Sequence, residues 1–137
     1  MNTIVDSGPL VAAADPADPR CEQARTCLVE APGALIIPAP VTAEIDHLLG
    51  ARIGQRTRRR FIEDLAAGRF LVGCLTAEEH ERALAVDRTY ADLALGLADA
   101  SLVVLAERFD TTRIITFDHR DLRAVTPLQG GVFELLP

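Results

Sequence analysis

Between Asp92 and Glu107 the chain reads LALGLADASLVVLA, a stretch in which every side chain is apolar or small except one carboxylate, Asp99. A helix of that composition is hydrophobic on nearly all of its faces, so other elements have to enclose it. The fold therefore needs an interior deep enough to surround a helix. With 137 residues, 49% of them hydrophobic, the chain is long enough for one such core and too short for two. Residues 1–137 are read as a single domain. The same stretch poses a chemical question, because a lone carboxylate near the middle of a buried helix costs several kcal/mol unless a partner compensates it.

The rest of the chain alternates short apolar runs with amphipathic ones. Thr3 to Val5 reads as a strand, followed by a helix from Pro9 to Ala14 and another from Pro19 to Val29 with Cys21, Ala24 and Leu28 at helical spacing. Ala34 to Ile37 is a second strand, and Pro40 opens a helix from Val41 to Leu49 ended by Gly50. A helix from Gly54 to Ala67 is closed by Gly68, and Phe70 to Leu75 is the third strand. Thr76-Ala-Glu-Glu is a capping-box pattern opening a helix to about Thr89. After the apolar helix come Arg113 to Phe117 as a fourth strand and Val132 to Leu136 as a fifth, at a sheet edge. Such alternation predicts an α/β fold, a parallel sheet of four to five strands flanked by helices on both faces.

Composition excludes several classes. The longest uncharged run, 31–43, is broken by three prolines and is shorter than the roughly 20 apolar residues of a spanning helix, so no membrane partner is expected. The first residues carry neither a basic region nor a continuous apolar one, and the expected location is the cytoplasm. Cys21, Cys27 and Cys74 are odd in number with no C-x-x-C spacing, which disfavours disulfides and zinc; all three read as small buried hydrophobes. The net charge of −6 disfavours non-specific nucleic-acid binding by the whole surface, but all fourteen basic residues are arginine and five fall within positions 52–60.

Acidic residues sit where parallel sheets build sites. Asp6 follows TIV and Asp118 follows RIITF, at strand carboxyl ends. Each also reads as a helix N-cap. Glu44 lies in the first turns after Pro40, and Asp99 is the carboxylate of the apolar helix. For Asp99 three readings stand open: buried and neutral, paired with an arginine from elsewhere, or compensated by a divalent cation around which Asp6, Glu44, Asp99 and Asp118 converge. An oxygen-only set suits Mg²⁺ or Mn²⁺, whereas His47, His80 and His119 match no ligand spacing. A cation so held acidifies a water and stabilises charge on a phosphodiester, which is nuclease chemistry.

Together IVDSGPLVAAAD, TAEIDHLL, LGLADASLVVLAER and IITFDHRDL, spread from Ile4 to about Leu122, resemble the PIN-domain ribonucleases and, among them, the VapC toxins of bacterial type II toxin–antitoxin pairs. The resemblance implies that Asp6, Glu44, Asp99 and Asp118 bind Mg²⁺ or Mn²⁺ and form the catalytic set, with Ser7 and Thr116 in support. Asp92 reads as a cap or structural charge, and Asp121 as a surface or capping residue able to replace Asp118. It further implies endoribonuclease activity on tRNA or ribosomal RNA, a homodimer, and a VapB-like antitoxin that blocks the site. Arg56, Arg59 and Arg60 share a helix face suited to RNA phosphates, against pairing with Glu63 and Asp64. Two rival folds fit poorly: a receiver domain resembles this pattern of acids but uses a lysine, of which the chain has none, and a haloacid-dehalogenase phosphatase has D-x-D where this chain has Asp6-Ser-Gly. The alternative of another class is a catalytically silent PIN-like module that binds RNA or a protein.

Overall fold

The computed structural model describes all 137 residues. In chain order the elements are β1 (Thr3–Val5), α1 (Ser7–Ala14), α2 (Cys21–Glu30), β2 (Leu35–Pro38), α3 (Ala39–Arg52), α4 (Gln55–Ala66), β3 (Leu71–Gly73), α5 (Ala77–Thr89), α6 (Gly96–Arg108), β4 (Arg113–Ile115), α7 (His119–Arg123) and β5 (Glu134–Leu136). The strands form one five-stranded sheet in the order β3-β2-β1-β4-β5, parallel throughout. Strand order reverses at β1: the chain first steps outward to β2 and β3, then returns to place β4 on the other side. The crevice beyond the carboxyl ends of β1 and β4 is thus the topological switch point, where open parallel sheets hold their ligands.

Period-two alternation along the strands feeds two separate cores. Ile4, Ile36 and Ile114 point to the face covered by α5 and α6, where Leu102, Leu105 and Leu122 complete the packing. Val5, Ile37 and Ile115 point to the opposite face, against Leu10, Val11, Val41, Ile45, Leu49 and Phe61. The α6 helix answers the demand of its composition. Ala100 through Ala106 are buried without interruption, and the helix packs on β1, β2 and β4 as well as on α5 and α3. No helix is long and apolar enough to cross a membrane.

Three of the boundaries that differ from the sequence reading, and the burial of the cysteines, have a local reason. The apolar helix begins at Gly96, because Ala91–Leu93 forms a 3₁₀ turn, Ala94 turns left-handed at φ 49° and Gly96 follows at φ 77°. A positive φ at two of three positions ends one helix and starts another, and the Asp87 carboxylate of α5 then accepts the Gly96 N–H at 3.1 Å. Asp99 consequently lies in the first turn of α6 and not at its middle. Helix α3 runs through Gly50 to Arg52; the chain leaves it where the Ile53 and Gly54 amides both donate to the Leu49 carbonyl. Strand β4 stops at Ile115, so Asp118 stands three residues beyond it. Of the cysteines only Cys21 is buried: Cys27 is half-buried, and Cys74 is exposed because it follows the edge strand β3.

Candidate active site

Asp6 is the first residue past β1, where its extended backbone opens α1 as the N-cap. Its Oδ1 accepts the Ser7 N–H at 2.8 Å, and its Oδ2 accepts the Thr116 hydroxyl at 2.8 Å. Thr116 has no exposed surface, and its Oγ1 in turn accepts the Asp118 N–H at 3.0 Å. One hydroxyl therefore fixes the Asp6 carboxylate and the path of the backbone into Asp118. Asp118 caps α7, with Oδ1 accepting the Asp121 N–H at 3.4 Å. Cap and site readings of Asp6 and Asp118 do not compete, since a carboxylate spends one oxygen on an amide and keeps lone pairs in hand. Ser7 acts on Asp6 through its backbone N–H.

The electrostatics tie these residues to Asp99. Burial, followed by repulsion from Asp6, Asp118, Asp121 and Glu44 in that order, pushes the Asp99 carboxyl up to about 7. Asp6 is raised too, chiefly by burial; the hydrogen bonds from Ser7 and Thr116 pull it down and the charge of Asp118 pushes it up. No arginine relieves this repulsion: none of the ion pairs of the structure involves Asp6, Glu44, Asp99 or Asp118. The arginine compensation left open for Asp99 is thereby removed. The acids act on one another through space without crowding together, for no three of them are near enough to form a ready-made cage around an ion. A hard cation such as Mg²⁺ does not require one, because it commonly takes one or two carboxylates and keeps several waters. The donor set and the unrelieved negative field both fit such an ion.

The outlying residues sort themselves by the same field. Glu44 is an exposed residue of α3 and exerts the weakest of the four repulsions on Asp99. Asp121, read from the sequence as a surface or capping residue able to replace Asp118, belongs to the field. Asp92 lies exposed in the 3₁₀ turn and is not among the acids acting on Asp99. On α4 the three arginines divide. Arg56 and Arg59 are exposed and make no ion pair, whereas Arg60 pairs with Asp64 at 3.5 Å and lines an apolar groove of about 200 Å³ with Leu10, Leu49 and Phe61. Two contacts at the site were not foreseen. His119 Nε2 lies 3.0 Å from the Thr116 carbonyl, which makes that nitrogen the donor, and the Arg20 guanidinium lies over the Phe117 ring, its central carbon 4.1 Å from the ring centre. Nothing in the sequence links Arg20 to a residue so distant along the chain.

Acids that act on one another through space at the switch point of a parallel sheet, around the start of a buried helix, outline the site. The chain belongs to the PIN-domain family, whose model matches residues 3–126. Within that family it stands with the VapC ribonucleases: it is 34% identical over 134 residues to Ribonuclease VapC26 of Mycobacterium tuberculosis, covering 98% of this chain and 99% of that relative. Among solved structures, Mycobacterium tuberculosis VapC20, a Sarcin-Ricin loop cleaving toxin, matches with a TM-score of 0.83 at 20% identity over 98% of this chain and 99% of that one. VapBC2 from Rickettsia felis, bound to a DNA fragment from its promoter, matches with a TM-score of 0.70 at 12% identity over the whole of both chains. These two likenesses concern the fold.

Proposed function

We propose that the protein is a divalent-metal-dependent endoribonuclease, the toxin of a toxin–antitoxin pair, with Asp6, Glu44, Asp99 and Asp118 as its catalytic acids. The observation that carries the reading is the state of Asp99: a carboxyl in the first turn of the buried helix, raised to about 7 by burial and by four other acids, with no basic side chain in reach. Near neutral pH such a group either keeps its proton or takes a cation, and the acids around it favour the cation. Asp6 and Asp99 are the residues to hold Mg²⁺ or Mn²⁺ directly, with Asp118 and Glu44 completing the acidic rim. When bound, the ion lowers the pKa of a water and neutralises charge developing on the scissile phosphodiester.

The chain's own residues do the positioning. Thr116 and the Ser7 amide clamp both oxygens of Asp6, so that its free lone pairs point in one fixed direction. Asp118 is held by the same threonine through its amide. Arg56 and Arg59, free of ion pairs, are suited to phosphates of the RNA strand, while Arg60 is partly engaged by Asp64. The substrates are tRNA or ribosomal RNA, the working form is a homodimer in the cytoplasm, and the partner is a VapB-like antitoxin that covers the acids. Support for the activity comes from the near-full-length relationship to a ribonuclease.

The test uses the purified protein freed of any antitoxin. It cleaves single-stranded RNA in the presence of Mg²⁺ or Mn²⁺, and D6A and D99A each abolish cleavage. Cleavage that persists in both variants would place the activity elsewhere, and a wild type that binds RNA without cutting it would favour the silent module.

A further inference from the structure

Phe117 stands between Thr116 and Asp118, and its ring rests on the first turn of α1, where a Cβ at Gly8 would come within 3.1 Å of the ring edge. The absence of a side chain at Gly8 thus lets the ring settle beside the acids. Over this ring lies the guanidinium of Arg20, 4.1 Å from its centre. Asp18 locks the plane in place: its oxygens accept Arg20 Nε at 3.2 Å and Nη2 at 3.2 Å, and Oδ1 also accepts the Arg20 N–H at 2.8 Å. Arg20 makes no cap hydrogen bond for α2 through its side chain, and it is not among the charges that act on Asp6 or Asp99. Its side chain is 51% exposed although it rests on Phe117 and is held by Asp18, so part of the guanidinium is open to solvent.

We propose that the open face of Arg20 is a stacking platform for an unpaired nucleobase of the RNA strand crossing the acidic site. The inference rests on the ribonuclease reading and adds to it a residue that selects single-stranded substrate. Asp18 occupies the Nε and Nη2 edge of the fork, which leaves the Nη1 end and the flat face presented. A phosphate or a partner's carboxylate would take the Nη1 end through charge and paired N–H groups, whereas a base takes the plane, and RNA-binding proteins stack splayed bases on arginine planes as they do on aromatic rings. The two uses differ in whether lysine can replace Arg20, which the experiment reads. In a chain with one tyrosine, no tryptophan and five phenylalanines, an arginine fixed on Phe117 supplies the missing platform.

The experiment measures binding of a labelled single-stranded RNA oligomer by fluorescence anisotropy in EDTA, so that affinity is read without cleavage. R20A weakens binding about tenfold, the effect of losing one stacked base. R20K, which keeps the charge but not the plane, binds as weakly as R20A. R25A, which removes the same charge from the same helix, binds as wild type. An abasic nucleotide scanned along the oligomer lowers wild-type affinity at one position and leaves R20A unaffected there, a coupling that mere misfolding would not produce. Equal binding by R20A and wild type overturns the proposal, as does full rescue by R20K, which would mean charge alone. If the wild type cuts RNA and R20A binds normally, only the platform is lost; if the wild type neither binds nor cuts RNA, the ribonuclease reading falls and the platform with it.

Discussion

Replacing Asp99 with asparagine tests whether its charge is uncompensated, independently of any assay of cleavage. A carboxyl whose pKa is raised on folding holds its proton more tightly in the folded chain. Between the ordinary 3.8 and about 7, the unfolded chain has therefore released a proton that the folded chain retains. Stability from this group is full below the lower value, falls as pH rises through the interval, and levels off above about 7. At about 1.4 kcal/mol per pH unit the interval is worth about 4 kcal/mol. Since Asp99 is only partly buried, solvent screening reduces this to about 2 kcal/mol. In EDTA, D99N is accordingly more stable than wild type by about 2 kcal/mol at about pH 8, a rise in Tm of about 6 °C. The advantage shrinks by more than half at about pH 4, close to the ordinary carboxyl value, where wild-type Asp99 keeps its proton in the fold. Urea denaturation of both proteins at the two pH values measures it. A D99N protein that is equally or less stable at about pH 8, or a difference that does not change with pH, would show that some group already neutralises Asp99, and the case for a cation would fail with it.

Three further outcomes are expected. Millimolar Mg²⁺ raises the Tm of the wild type but not of D99N or D6A, as binding to the folded state alone requires; equal shifts in all three would locate the ion elsewhere. T116V, which removes the hydroxyl shared by Asp6 and Asp118, lowers kcat/KM on RNA by about tenfold or more, while T116S retains most of it, and full activity in T116V would end the positioning role. R56A/R59A weakens RNA binding and flattens the dependence of log Kd on log salt concentration by about one per lost phosphate contact; an unchanged salt slope would remove both arginines from the interface.

The elements that were legible are those whose signal is local. β1, the capping box at Thr76 and Glu79, and the closure of α4 before Gly68 stand where propensity, cap and turn residues agree. The break at Ala94 and Gly96 was not legible, because leucines and alanines on both sides suit one continuous helix, and only the docking of α6 against the sheet and α5 makes the left-handed turn worthwhile. The error displaced Asp99 from the first turn of a helix to its middle. The displacement hid why Asp99 reaches the acids at the strand ends. Gly50 misled in the opposite sense: as a helix stop it was plausible, but the Leu49 carbonyl gathers the Ile53 and Gly54 amides and carries the turn further on.

By itself the amino-acid sequence determined the alternating strands and helices, the enclosure of an apolar helix and the choice of four acids, because hydrophobic period and residue type act over a few positions. Tertiary structure alone decided that these acids share one field, that no arginine enters it, and that Thr116 holds Asp6 while Arg20 lies on Phe117. Those relations join residues about a hundred positions apart, and chain periodicity carries no record of them. They arise where β1 and β4 meet side by side, which the order of strands in the sheet imposes.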